Sequence, residues 1–143
     1  MSMFRIFDIA GSAVSAQSQR LNTVASNLAN ADTVAGPDGA AYKARQVVFR
    51  TVMLNAGGAF GSQAGSAAGV HVSTVTEDNS PGRRVHDPRH PASDAEGYVT
   101  YSNVNPLEEM VNMMSASRSY QNNIEVMSTA RSLLLKTLQI GQG

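Results

Sequence analysis

The chain has 143 residues, 42% of them apolar, and its eleven Lys and Arg are balanced by eleven Asp and Glu. Zero net charge gives no field to attract nucleic acid or a strongly charged partner, and the absence of Trp leaves little material for an aromatic ligand pocket. With no Cys, disulfides, thiol nucleophiles and cysteine-based metal sites are excluded; no run approaches the roughly 18 apolar residues of a membrane span, and the N-terminal stretch lacks the pattern of a secretory signal peptide.

Residues 3–30 read as a helix. Phe7, Val14, Leu21 and Leu28 recur at heptad spacing, with Ala10, Gln17, Val24 and Ala31 between them, which is the stripe of a coiled-coil seam. Small residues from Ala10 to Ala16 allow a neighbouring helix to approach closely, and Gly11 weakens the helix locally. The remaining face is filled by Gln, Ser and Asn with few charges, which suits packing against other chains better than exposure to water.

A turn-rich segment around Gly36, Pro37, Asp38 and Gly39 ends the helix. Residues 42–53 read as a strand, 55–69 as a flexible Gly/Ala/Ser loop with Phe60 as its one anchor, and 70–76 as a second strand. Short strands at 84–86 and 97–102 complete a small antiparallel sheet. His86, Asp87 and His90 form the one polar cluster that could be drawn as a site. Pro88 and Pro91 forbid the helix that would put both imidazoles on one face, so rigid exposed turns are expected there, with no metal, catalytic residue or cofactor assigned. No phosphate-binding loop, dinucleotide fingerprint or nucleophile elbow occurs.

Residues 103–143 read as one long helix. Asn105 is the expected N-cap, Pro106 suits the first helical position, and Glu108 would close an Asn-x-x-Glu capping box while Glu109 favours the helix dipole. Alternate steps of three and four give a seam of Met110, Met113, Ser117, Tyr120, Ile124, Met127, Arg131, Leu134 and Leu138. Val111, Met114, Val126, Leu133 and Leu135 lie off that seam, so more than one neighbour is required. Strands clustered between two helices, without βαβ alternation, define an α+β class. The expected organisation is an N-terminal helix (1–31) and a C-terminal helix (105–143) forming a coiled-coil-like bundle, with a β-rich middle (32–104) between them.

Residues 26–33, Ser-Asn-Leu-Ala-Asn-Ala-Asp-Thr, closely resemble the Asn-Leu-Ala-Asn-Ala-Asn-Thr signature of the bacterial flagellar rod and hook proteins, with Asn27, Leu28, Ala29 and Asn30 as its core. Tyr42-Lys43 resembles the Tyr-Lys pair that follows it, here delayed by an insert typical of the proximal rod branch of that family. The central His-Asp-Pro-Arg-His-Pro run with Gly-Tyr-Val, and the Asn-Val-Asn-Pro start of the last helix, extend the resemblance over most of the chain. Two differences are local: Ser12-Ala13-Val14 stands where Ser-Gly-Met is usual, and Asp32 replaces an Asn.

The resemblance implies a non-enzymatic subunit of the basal-body rod, the periplasmic drive shaft that carries torque from the motor ring to the hook, exported through the flagellar type III path. Its implied partners are other rod proteins, copies of itself, and the membrane-ring and export-gate components, with no nucleic acid or small-molecule substrate. Subunit contacts are expected from Phe7, Val14, Leu21, Val24 and Leu28 on the first helix, and from Met110, Met113, Tyr120, Ile124, Met127, Leu134 and Leu138 on the last. A peptidoglycan-acting enzyme built on the His86 loop and a generic coiled-coil adaptor are the alternative readings.

Overall fold

The computed structural model describes residues 3–36, 39–54 and 67–141. Two helices frame the chain: α1 spans Met3–Ala29 and α2 spans Pro106–Gly141, and at 1.5 Å per residue they are about 40 and 54 Å long. Four strands lie between them in sequence: β1 (Arg45–Leu54), β2 (Ala67–Glu77), β3 (Arg84–His86) and β4 (Tyr98–Thr100). The fold is α+β.

The expected single sheet is instead two separate antiparallel hairpins, β1–β2 and β3–β4. The break has a local cause. Asn103 accepts from the Ala44 amide (2.7 Å) and donates to the carbonyls of Asp78 and Ser80, so the strand ends are tied to a side chain where a continuous ladder would have run. The first strand begins at Arg45 rather than at residue 42: the Ala44 amide is taken by Asn103, and Tyr42 turns its hydroxyl to Asn27. Residues 67–69, expected in the loop, belong to β2; the rest of that loop, with Phe60, lies outside the described residues, as do Pro37 and Asp38.

The helices run antiparallel, since Asn27 meets Glu109, Arg20 meets Asn112, and Ile6 shares a groove with Ala130. The buried and half-buried residues of α2 are Glu109, Asn112, Met113, Ala116, Ser117, Ser119, Tyr120, Asn123, Met127, Ala130 and Leu134, and within them Glu109, Met113, Ala116, Tyr120, Asn123, Met127, Ala130 and Leu134 follow one another in alternating steps of four and three. That is a heptad seam, but it differs at every second position from the one drawn on apolar residues alone. Ala116 is fully buried beside half-buried Ser117, Ala130 is buried where Arg131 is exposed, and Glu109 and Asn123 are covered where Met110 and Ile124 are exposed. Small side chains let the helices approach closely, which turns the larger neighbours outward. On α1 the corresponding row is Ala10, Ala13, Gln17, Arg20, Val24 and Asn27, continued by Ala31 just past the helix end.

The other side of α1 packs on the β1–β2 hairpin and crosses it from one edge to the other. Near its start, Ser12 Oγ accepts from the Val70 amide (3.1 Å) on β2; near its end, Asn27 grips Arg45 on β1. A bulge between Val48 and Phe49, opposite Ser73, interrupts the ladder. Below α1 a compact knot joins the pieces. Ala31, Ala44 and Val104 are buried together under Tyr42, and Val34 bridges to Tyr101 beside β4, whose Val99 is fully buried. Gly82 has no alternative in this knot, because a Cβ there would meet the Tyr101 carbonyl oxygen and the Thr100 methyl.

Candidate functional site

The polar centre of the molecule is Asn27, which is completely buried at the C-terminal end of α1. Its Nδ2 donates to the Arg45 carbonyl (2.8 Å) and to Glu109 Oε2 (3.0 Å), while its Oδ1 accepts from the Arg45 amide (2.9 Å) and the Tyr42 hydroxyl (3.0 Å). All four hydrogen-bonding positions of the carboxamide are therefore used. By both donating to and accepting from the backbone of Arg45, the side chain does what a neighbouring strand would do at that point of the β1 edge. One residue thus joins both helices and the hairpin.

Glu109 is buried in the first turn of α2, where the helix N-terminus favours a carboxylate. Its Oε2 accepts from Asn27 and its Oε1 from Asn112 Nδ2 (3.4 Å); Asn112 in turn accepts from Arg20 (3.3 Å). The α2 start is capped separately, with Asn105 Oδ1 accepting from the Leu107 amide (3.1 Å) and the Asn105 carbonyl from the Glu109 amide. Glu108 is exposed. The residue that reaches the core is its neighbour, to which sequence reasoning assigned only a dipole contribution.

The rest of the signature segment surrounds this node. Leu28 and Asn30 are half-buried, Ala29 is exposed, and Asn30 Nδ2 donates to the Ser26 carbonyl to close the helix. Tyr42 is half-buried over the Ala31 cluster, and exposed Lys43 donates to Asn79 Oδ1 (2.7 Å). Of the seam residues expected on α1, Val24 is buried while Phe7, Val14, Leu21 and Leu28 are half-buried.

On α2 the expected residues divide. Met113, Tyr120, Met127 and Leu134 are half-buried on the side of α1, whereas Met110, Ile124 and Leu138 are exposed. Leu107, Val111, Met114, Val126, Leu133, Leu135 and Ile140 are exposed too. Glu109, Ala116 and Ala130 are the buried residues of this 36-residue helix. Large apolar side chains are therefore exposed on several sides of α2, with Val126 and Leu133 lining an open groove beside Ile6 of α1, which suits an interaction element better than a solvated helix.

The His86 loop has a different character. Gly97, with φ of +80°, turns the chain beneath His86 and Pro88; His86 packs edge-on against Tyr98; His90 Nδ1 accepts from the Ala92 amide (3.1 Å) and Asp87 Oδ1 from the Arg89 amide (3.2 Å). These side chains staple turns. Asp94 holds the hairpin in the same way, and its carboxyl pKa is lowered chiefly by the Tyr98 amide, aided by the Glu96 amide and the Arg84 guanidinium.

Comparison with known proteins agrees with this architecture at both ends. Residues 7–37 match the model of the flagella basal body rod protein family, and residues 95–140 match that of the flagellar basal body rod FlgEFG protein C-terminal region. The chain is 56% identical to the flagellar basal-body rod protein FlgC of Escherichia coli O6:H1, 55% to that of Salmonella typhimurium and 37% to that of Buchnera aphidicola of Baizongia pistaciae. Each alignment covers 99% of this chain and 100% of the relative. The chain belongs to the flagellar basal-body rod protein family, among relatives of the FlgC type. It is a structural protein of the flagellar basal body.

Proposed function

We propose that the chain is a subunit of the proximal rod, assembled side by side with copies of itself and with other rod proteins into a helical shaft that carries torque from the membrane ring towards the hook. The observation that carries this reading is the surface of α2: ten large apolar side chains are exposed along it, while three small or polar-headed residues are its buried set. A helix so exposed gains its stability from neighbours. Contacts repeated along an axis without closing on themselves produce a filament, and many such contacts share the shear when it turns.

In this reading α1 and α2, with their flanks (1–31 and 105–143), form the inner helical unit, and residues 32–104 form an outer one. The Asn27 node is the joint between the two, so that a force on the helices reaches the hairpin without slipping. Contacts with the membrane ring and export gate, and passage through the flagellar type III path, follow from a place at the base of the rod. No catalytic step is assigned. Deleting the gene should leave membrane rings without a rod or hook and abolish swimming, with complementation restoring both; wild-type swimming of the deletion strain would refute the proposal.

A further inference from the structure

Among the described residues, nothing pairs with the edge of β1 beyond Arg45. Asn27 takes the outward backbone groups of Arg45, and Ser12 takes the outward amide of Val70, the partner of Thr51 in the ladder. Alternation from these two points directs the backbone groups of Val47, Phe49, Thr51 and Met53 away from β2. Among the described residues none of these amides has a hydrogen-bond partner outside the hairpin. A long edge of this kind, carrying exposed Val48, Phe49, Val52 and Met53, is a template for another strand.

Beside that edge lies a cleft of about 410 Å³, walled by Val47 and Phe49 of β1, Thr23 and Val24 of α1, and Asn112 of α2. Arg20 lines it, half-buried. It donates to Asn112 Oδ1, and no carboxylate stands within ion-pair distance of it among the described residues. The Glu109 carboxylate at the base of the cleft is already held by Asn27 and Asn112.

We propose that this edge and cleft receive an extended segment of a neighbouring rod subunit, which joins the hairpin as a third strand and sets a carboxylate against Arg20. This rests on the rod-subunit reading. Charge selects a different protein over a second copy of β1: β1 carries Arg45 and Arg50 and no acidic residue, so a second β1 would add cations to a cationic site. The β2 edge of a second copy is closed at Val70 by Ser12 of its own α1. Backbone hydrogen bonds would give the added strand its affinity, and Arg20 its selectivity.

Amide exchange by mass spectrometry, on intact basal bodies and on the free full-length chain, tests this. Exchange across residues 47–53 should slow at least tenfold on assembly, while the turns at 87–96 serve as the internal reference. Equal rates in the two states would overturn the inference. Arg20→Glu should lower incorporation into basal bodies at least tenfold, and Arg20→Gln, which keeps a donor for Asn112, should lower it much less; wild-type incorporation of Arg20→Glu would also overturn it. Because the chain has no Cys, Thr51→Cys reads the occupant directly. A disulfide-linked homodimer in basal bodies would show a second β1 on the edge and contradict the assignment. Absence of the chain from basal bodies would instead refute the rod-subunit reading, so the two failures are distinguishable.

Discussion

The Asn27 carboxamide nitrogen lies 3.0 Å from Glu109 Oε2, joining residues 82 positions apart in the chain where α1 ends and α2 begins. Removing that side chain does more than delete four hydrogen bonds: it leaves the Glu109 carboxylate and the Arg45 backbone short of partners in a buried place. Unsatisfied buried groups cost about 1–3 kcal/mol each, more when charged. Asn27→Ala should therefore lower the stability of the purified chain by about 3 kcal/mol in urea unfolding, and Asn27→Asp by at least as much, because it sets a second carboxylate beside Glu109. Loss of less than about 1 kcal/mol in both would mean that the node is not a keystone.

Two substitutions on α2 separate folding from assembly. Ala116 is fully buried, so Ala116→Asp should unfold the helix pair, with a cost of about 3 kcal/mol or more. Ile124 is 43% exposed, so Ile124→Asp should change the melting of the free chain by only about 0.5 kcal/mol, yet should block incorporation into the rod. Equal destabilisation by both would contradict the observed seam.

The helices themselves were legible because their signals are local. Asn105-Pro106 marks one start, and α2 has no Pro or Gly between Pro106 and Gly141. The seam register was not, since a search for large apolar residues passes over the buried Ala116 and Ala130, the buried Glu109 and the half-buried Asn123. The resemblance pointed to Asn27 without giving its role; a carboxamide that stands in for a strand becomes visible once Arg45 is placed beside it. Division of the sheet in two depended on Asn103, whose hydrogen bonds span residues 44 to 80 and leave no periodic trace in the sequence.

Gly82 provides a steric test. A methyl group at this position collides with the backbone of Tyr101, which cannot give way as a flexible side chain would. Gly82→Ala should cost about 1–3 kcal/mol, with chemical-shift changes confined to the β3–β4 hairpin and the Val34–Tyr101 bridge. Unchanged shifts there would refute the close approach.

Acid should loosen the same hairpin through Asp94. Its carboxyl accepts from the amides of Tyr98 (2.8 Å) and Glu96 (3.0 Å) and pairs with Arg84, so its pKa in the folded chain lies below the ordinary value of 3.8. A lowered pKa means that the contribution is complete above the unfolded value and is lost as pH falls through the folded one. The amide resonances of Glu96 and Tyr98 should move only below about pH 4, and Asp94→Asn should abolish that acid transition. Titration of Asp94 at or above its ordinary value would contradict the geometry.

Electron cryomicroscopy of purified basal bodies, at a resolution that traces side chains, would locate the chain and the neighbours of α2. Density for this chain is expected in the proximal rod, with the exposed apolar side chains of α2 packed against neighbouring subunits and the Asn27–Glu109 joint intact. Density that places the chain outside the rod, or in the rod with those α2 side chains open to solvent, would contradict the rod-subunit reading.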